Sequence, residues 1–432
     1  MLSYAHAVDS PGCPHKEPAT TPRPGLLKLL DIDSSYRATV WPHTLAWLFL
    51  GVLGGGALQQ IGFIVKKIGG SPALVTLVMI GPYVASLLAI VYVPWLERRE
   101  VRALVAIPRL LGAGLLGVTY IVSGPIGLGV VFLIAMIVSK VGDTFYGRLL
   151  GQMYPLHGTG RMLSLPMFVN AAAAASVAVI AGWILKRNAG AYEWLLPACG
   201  AAGVMAALIV WRIPVHRVTG KPPRVSLGAS LRQVAGDKAF LRWVLIYSFT
   251  SIGFWFSYSA LPVFFEGGLG FGYLENGIAV AAFNASYCLG FLVGGRFLDR
   301  FRSLLTIMLG WSLVGVGTLM IALGRGFGWV IAGQALAGLG LTGNDIAWYP
   351  VVLEFAPSRR IDRYMGFYMT VFGIRALAGG LISGALMELS PVGSWIALIA
   401  GSMSMLGGAG MMLAFRRRSS PNERSADADA SA

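Results

Sequence analysis

The sequence predicts an all-α integral membrane protein with twelve transmembrane helices. Apolar runs of about 20 residues recur along the chain, and a helix of that length spans the roughly 30 Å of hydrocarbon in a bilayer. Of the 432 residues, 56% are hydrophobic and 12% are charged, against roughly 25% charged residues in soluble domains. The positive charges stand between the apolar runs, where such charges orient membrane helices.

The apolar runs place twelve spans, and polar stretches set the domain boundaries. The predicted spans are 43–65, 72–96, 103–123, 126–153, 161–186, 192–212, 241–264, 273–298, 303–323, 327–353, 363–387 and 392–415. The predicted domains are a cytoplasmic N-terminal tail (1–40), a six-helix bundle (41–213), a cytoplasmic linker (214–240), a second six-helix bundle (241–415) and a disordered cytoplasmic tail (416–432).

The distribution of lysine and arginine predicts the orientation of the bundle. Most of the 34 basic residues flank the spans on the side that carries both termini. The exceptions on the other side are Lys66, Lys67, Lys186, Arg187 and Arg325, and those placed within spans are Lys140 and Arg375. Because cytoplasmic loops retain basic residues, we expect both termini in the cytoplasm and the protein in a plasma membrane, a bacterial inner membrane.

An internal repeat relates the two predicted bundles. A shift of 202 residues aligns equivalent positions of the two halves. These positions are helix starts, charged loop residues and one intramembrane acidic residue per half. The aligned pairs include Trp41 with Trp243, Glu97-Arg98 with Asp299-Arg300, and Asp143 with Asp345. Such a repeat indicates two pseudo-symmetric six-helix halves arranged in parallel.

The segment after the eighth span carries the clearest motif. It reads Gly295-Arg-Phe-Leu-Asp299-Arg300-Phe-Arg302-Ser303. This resembles the loop signature G-x-x-x-D-R/K-x-G-R-R/K of the major facilitator superfamily, with Gly295, Asp299 and Arg300 in register. Arg302 replaces the second glycine of that signature, and Ser303 replaces its next basic residue.

The spans, linker, repeat and paired loop motifs together resemble that superfamily over about residues 41–415. The resemblance implies the major facilitator fold and a secondary transporter whose halves rock around a central site. It also implies that both copies of the loop motif form a gate and helix-cap network at the cytoplasmic face. The gate residues are Glu97, Arg98, Gly295, Asp299 and Arg300.

Charged side chains within spans are the candidate functional groups, because they are costly in hydrocarbon and default to a functional interpretation. Lys140 and Asp143 are three residues apart in span 4 and share a helix face. Asp345 lies in span 10, and Arg375 lies in the middle of span 11. The predicted solute- and proton-binding set also includes three uncharged side chains, Asn170, Asn284 and Gln60.

Each candidate also has a structural interpretation. Asp143 could be a structural partner of Lys140 or Arg148 rather than a proton carrier, and Asp345 could neutralise Arg375. The two asparagines could form hydrogen bonds between helices instead of contacting a solute.

The sequence contains no Walker lysine pattern, so coupling to an ion gradient is expected. A buried carboxylate, Asp143 or Asp345, would take up a proton in one facing state and release it in the other, while Lys140 or Arg375 could bind an anionic group. The predicted function is proton-coupled secondary transport of a small organic solute by alternating access. The predicted partners are that solute, protons and the lipid bilayer.

Other classes are disfavoured. The cysteines Cys13, Cys199 and Cys288 lack metal-like spacing, and neither a metal, a cofactor, an enzymatic activity nor nucleic-acid binding is expected. A monomer suffices, because one chain contains both halves. The alternative function is a non-transporting protein on the same scaffold, a sensor or a pigment- or cofactor-delivery factor. His43, at the start of span 1, is predicted to be interfacial.

Overall fold

The computed structural model describes residues 36–96, 99–154, 159–215, 232, 234, 236–300, 303–324, 326–355 and 361–418. Every regular element in these ranges is helical. Nine of the described helices are long and apolar enough to cross a membrane. The prediction of an all-α integral membrane protein is therefore confirmed.

Twelve helical segments correspond to the predicted spans, and the first six form the first half of the chain. They are α1 (Arg37–Lys67), α2 (72–96), α3 (Val101–Tyr120), α4 (Pro125–Met153), α5 (Thr159–Arg187) and α6 (Ala189–Arg212). Helix α2 is segmented, with a 3₁₀ turn at Gly81–Tyr83. It begins at Pro72, where Ser71 caps the helix by accepting a hydrogen bond from the Leu74 N–H.

The remaining six segments form the second half. They are α7 (Lys238–Gly268), α8 (Tyr273–Arg300), α9 (Ser303–Leu323), α10 (Phe327–Phe355), α11 (Ile361–Leu389) and α12 (Gly393–Arg418). Helix α7 starts at Lys238 because the Asp237 carboxylate accepts a hydrogen bond from the Phe240 N–H.

Small residues bring the two halves into contact along α5 and α8. A Cβ atom on Gly277 of α8 would lie 2.5 Å from the Ala178 carbonyl oxygen of α5, and one on Gly182 would lie 2.6 Å from the Tyr273 oxygen. Helices in a membrane associate closely where small residues let their backbones approach. Helices α2 and α11 meet in the same way, with Gly373 against the backbone of Leu87.

The halves are joined on the side opposite the termini. Lys67 Nζ lies 3.5 Å from Glu266 Oε1, which connects the ends of α1 and α7. The backbone N–H of Ala73 donates to Glu388 Oε1 at 2.8 Å, which connects α2 and α11. The rings of Phe63 and Tyr273 pack edge to face beside them.

Candidate functional site

The first charged group lies on α3 and α4. Asp143 accepts a hydrogen bond from Arg109 Nη2 at 2.8 Å and another from Arg109 Nε at 3.2 Å. Its second oxygen lies 2.8 Å from Lys140 Nζ. Both cations therefore neutralise one carboxylate. The predicted pairing of Lys140 with Asp143 is present, as the i, i+3 spacing on a helix dictates.

Arg109 is a third intramembrane cation that the sequence interpretation misses. That interpretation counts it with the charges flanking span 3, but it lies two turns inside α3, and its side chain is only 9% exposed. Helix α3 can bring it to Asp143 because Gly142 allows close packing: a Cβ there would lie 2.6 Å from the Val105 carbonyl oxygen. The sequence does carry a signal, because Arg109 falls within the predicted limits 103–123.

A buried hydrogen-bond network extends from Arg109 to α1. The Arg109 guanidinium lies over the ring of Tyr146, 5.0 Å from its centroid. His43 Nε2 contacts the Tyr146 hydroxyl at 2.5 Å, and His43 Nδ1 contacts the Tyr154 hydroxyl at 2.7 Å. The indole N–H of Trp47 donates to His43 Nε2 at 2.8 Å.

The indole N–H of Trp47 also lies 2.8 Å from the Tyr146 hydroxyl. Because an indole nitrogen only donates, this N–H is shared between the Tyr146 hydroxyl and His43 Nε2, and each ring nitrogen of His43 has a tyrosine hydroxyl as a partner. His43 is fully buried inside the protein, and its location at the depth of the membrane interface stays a prediction. A lone histidine near a span end gives no sequence signal for hydroxyl partners that lie more than 100 positions away.

The second charged group lies on α8, α10 and α11. Asp345 Oδ2 accepts a hydrogen bond from the Tyr287 hydroxyl at 2.5 Å, and Oδ1 accepts one from Asn344 Nδ2 at 2.9 Å. The Tyr247 hydroxyl in turn donates to Asn344 Oδ1 at 2.6 Å. None of the ion pairs between described residues involves Asp345. The alternative in which Asp345 neutralises Arg375 is therefore wrong for this conformation.

Arg375 is surrounded by aromatic rings. The residue is 1% exposed, and its guanidinium carbon lies 4.6 Å from the ring centroid of Tyr247, 5.1 Å from that of Tyr368 and 5.5 Å from that of Phe372. Cation–π attraction offsets part of the cost of burying this charge. Its three guanidinium nitrogens have no hydrogen-bond partner in the part of the chain that the structure describes.

Aromatic rings connect the two charged groups across the interface between the halves. Tyr83 of α2 lies 4.4 Å from Trp255 and 5.4 Å from Phe372, measured between ring centroids. Lys140 Nζ lies over the ring of the same Tyr83, 5.0 Å from its centroid. Phe372 in turn lies 5.5 Å from the Arg375 guanidinium carbon, and Arg375 is linked to Asp345 through Tyr247 and Asn344.

The four predicted charged residues therefore lie in two groups that border the same set of aromatic rings. Lys140 and Asp143 contribute from the first half, and Asp345 and Arg375 contribute from the second. Lys140 and Asp143 remain partly accessible, since their side chains are 28% and 40% exposed. We call these residues, with Arg109, Tyr83, Trp255 and Phe372, the charged centre.

The three uncharged candidates form hydrogen bonds between helices. Gln60 accepts from Asn276 at 2.6 Å and donates to the Ala178 carbonyl oxygen at 3.3 Å. Asn284 forms reciprocal hydrogen bonds with Gln59. Asn170 donates to the Trp47 carbonyl oxygen at 3.0 Å. The structural alternative, hydrogen bonds between helices, is what this conformation contains.

The predicted gate lies outside the described part of the structure. Glu97 and Arg98 are not among the described residues, and of Gly295, Asp299 and Arg300 only the helical backbone of α8 is described. Among the residues that the structure does describe, no group of three or more His, Cys, Asp or Glu side chains could hold a metal ion.

Comparison with known proteins agrees with this architecture. Residues 243–431 match the sequence model of the Major Facilitator Superfamily. No curated protein sequence matches the chain significantly. A crystal structure of a mutant of the nucleoside transporter NupG superposes with a TM-score of 0.63 and 16% identity, covering 87% of this chain and 99% of that one.

A bacterial homologue of the human lysosomal transporter Spinster is also similar. Its inward-facing, unoccupied crystal structure gives a TM-score of 0.58 at 15% identity, over 89% of this chain and 96% of that one. The inward-facing, occupied structure gives 0.55 at 14%, over 87% and 94%. At these identities the likeness shows a shared fold. Residues 243–431 therefore match the Major Facilitator Superfamily, and the chain as a whole is a multi-pass membrane protein that shares the fold of these transporters.

Proposed function

We propose that the protein is a proton-coupled secondary transporter of a small organic solute that works by alternating access. The observation that carries the proposal is the charged centre itself: Lys140 with Asp143 in the first half, and Arg375 in the second, adjoin the rings of Tyr83 and Phe372 at the interface of the two halves. A scaffold without transport has little reason to retain charges at that depth, because each is costly to bury. An enzymatic role is not proposed.

Asp345 is the better candidate for the proton carrier. Asp143 is held between Arg109 and Lys140, so its negative charge is compensated where it lies. Asp345 has two hydrogen-bond donors but no ion-pair partner among the described residues. A buried carboxylate without a cation gains more from protonation than a paired one does.

Coupling follows from the position of Lys140. Lys140 belongs to the first half and Asp345 to the second, so the separation of their charges depends on how the halves are arranged. If the halves rock, that separation changes, and the proton occupancy of Asp345 changes with it. A bound proton and a bound solute then shift the same two-state equilibrium, which is the requirement for coupled transport.

The conformation supports an assignment of sidedness. The halves are joined by the Lys67–Glu266 ion pair on the side opposite the termini, which we call the closed side. With both termini in the cytoplasm, as the basic flanks favour, the closed side faces outward. We propose a plasma-membrane location in a bacterium, a monomer with bundles at 41–213 and 241–415 joined by the linker 214–240, and a cytoplasmic gate at the paired loop motifs.

Uptake by proteoliposomes tests the proposal. We expect purified protein to accumulate at least one member of a panel of small organic solutes when a pH gradient is imposed, and a protonophore to abolish that accumulation. Protein-free liposomes are the control. Equal uptake with and without the protein for every solute would instead support the non-transporting alternative.

A further inference from the structure

We propose that Arg375 binds the carboxylate of a solute whose body is a planar aromatic ring. This deepens the proposed transport function and rests on it, because it assigns a substrate class to the charged centre.

Arg375 is an almost fully buried cation without a hydrogen-bond acceptor among the described residues. A guanidinium offers five N–H donors in a planar fork, yet none of its three nitrogens has a partner in the described part of the chain. Three aromatic rings surround it, and rings do not accept two parallel hydrogen bonds as a carboxylate does. A carboxylate would satisfy the fork in the bidentate geometry for which arginine is suited.

Trp255 supplies a second, independent observation. Its side chain is buried, and its indole N–H also lacks a hydrogen-bond partner among the described residues. Its ring lies 5.8 Å from the ring of Phe372, and the Arg375 guanidinium lies 5.5 Å from that same ring. The buried indole N–H groups of Trp243 and Trp311 also lack a partner among the described residues, but Trp255 and Arg375 have Phe372 as a common neighbour. A polar ligand group beside Phe372 would pair both donors, as buried donors in proteins normally are.

The surroundings of these donors favour an aromatic body. The rings of Tyr83 and Tyr258 lie 4.4 Å and 5.5 Å from that of Trp255, and Phe372 completes the group. Aromatic side chains pack against a ligand ring in offset or edge-to-face arrangements that exceed the benefit of burial alone. An anionic aliphatic chain would obtain the ion pair but not this packing.

The charge balance of the centre favours an anion. Three cations, Arg109, Lys140 and Arg375, stand against the carboxylates Asp143 and Asp345. One carboxylate from a solute would neutralise the excess positive charge when both aspartates are ionised. A protonated Asp345 would leave a larger excess and a tighter site, which couples the proton to the solute.

Calorimetry on the purified full-length protein in lipid nanodiscs tests the inference with benzoate as the probe. We expect benzoate to bind, and benzamide, which has the same shape without the charge, to bind at least about 10-fold more weakly. We expect cyclohexanecarboxylate to bind several-fold more weakly than benzoate. Chloride should not displace benzoate at equal concentration.

Three variants assign the binding to this site. Arg375→Met should lower the affinity for benzoate by about 10- to 100-fold, in line with the loss of a charge-assisted pair, and Arg375→Lys by about 10-fold, because an ammonium lacks the planar fork. Trp255→Phe keeps an aromatic ring, removes the N–H and should weaken binding about 5-fold. Arg242→Met, at an exposed arginine on α7, is the matched control and should bind as the wild type does.

Each contrary outcome overturns the inference. No benzoate binding to the wild type, equal binding by Arg375→Met, or displacement by chloride at equal concentration would each reject an aromatic carboxylate site. Proton-driven uptake of some other solute in the same preparation would show that the transport proposal stands while this one falls.

Discussion

Replacing Asp345 with asparagine is expected to abolish accumulation of solute against a gradient while preserving exchange of solute across the membrane. Asparagine keeps the size of the side chain and can still hydrogen-bond to Tyr287 and Asn344, but it cannot change its charge. The halves can still rock around the solute, so counterflow should continue at a comparable rate. Accumulation requires a group that takes up and releases a proton, and it should fall to the level of protein-free liposomes.

Asp143→Asn provides the contrast. Loss of that carboxylate leaves Arg109 and Lys140 as neighbouring cations without their shared partner, so the expected defect is in folding and in both modes of transport. Counterflow and pH-gradient-driven uptake would be measured in parallel, with reconstituted amounts matched. Undiminished accumulation by Asp345→Asn would remove Asp345 as the carrier.

Replacing Arg375 with methionine should leave the ligand-free protein at least as stable as the wild type, whereas the same change at Arg109 should destabilise it. Arg375 is a buried cation without an acceptor among the described residues, and exchanging such a charge for an apolar side chain of similar length removes a desolvation cost. Arg109 donates two hydrogen bonds to Asp143. Its loss should cost about 1–3 kcal/mol, at the lower end because Asp143 is partly exposed and keeps Lys140.

Thermal unfolding of both variants in the same detergent, without added solute, measures this pair. The diagnostic feature is that the two variants change the melting temperature in opposite directions, because two general folding defects would both lower it. A lower melting temperature for Arg375→Met than for Arg109→Met would mean that Arg375 has a structural partner, and the binding role assigned to it would be untenable. Functional sites commonly trade stability for activity in the manner expected of Arg375.

The elements that depend on local spacing could be predicted from the sequence. Lys140 and Asp143 lie one turn apart on a single helix, so their pairing needs no knowledge of tertiary structure. Apolar runs of membrane-spanning length likewise place helices such as α9 and α12 within a few residues of their observed limits. Asp345 can be identified because a charge in an apolar run stands out wherever it lies.

The partners from other helices could not be predicted. Arg109 reaches Asp143 from α3, and Tyr287 reaches Asp345 from α8, and neither contact leaves a trace in sequence spacing. The aromatic surround of Arg375 combines Tyr247 of α7 with two residues of α11. Of all residues in the chain, 11% are aromatic. The sequence therefore does not distinguish the rings that surround Arg375 from those that simply pack between helices.

Locking the closed side tests the central claim most directly, namely that solute passes through the charged centre as the two sides open in turn. Lys67 and Glu266 would be replaced by cysteine in a background in which Cys13, Cys199 and Cys288 are alanine. The native ion pair is partly exposed and contributes about 0–1 kcal/mol, so the reduced variant should fold and transport. Each single-cysteine variant is the control for the reagent.

Pairs of cysteines at these positions would be joined by a short thiol-specific cross-linker and then released by reduction, with pH-gradient-driven uptake measured at each stage. The account predicts that cross-linking stops uptake, that reduction restores it, and that the single-cysteine controls are unaffected. Full uptake by protein shown to be completely cross-linked would contradict alternating access at the Lys67–Glu266 side.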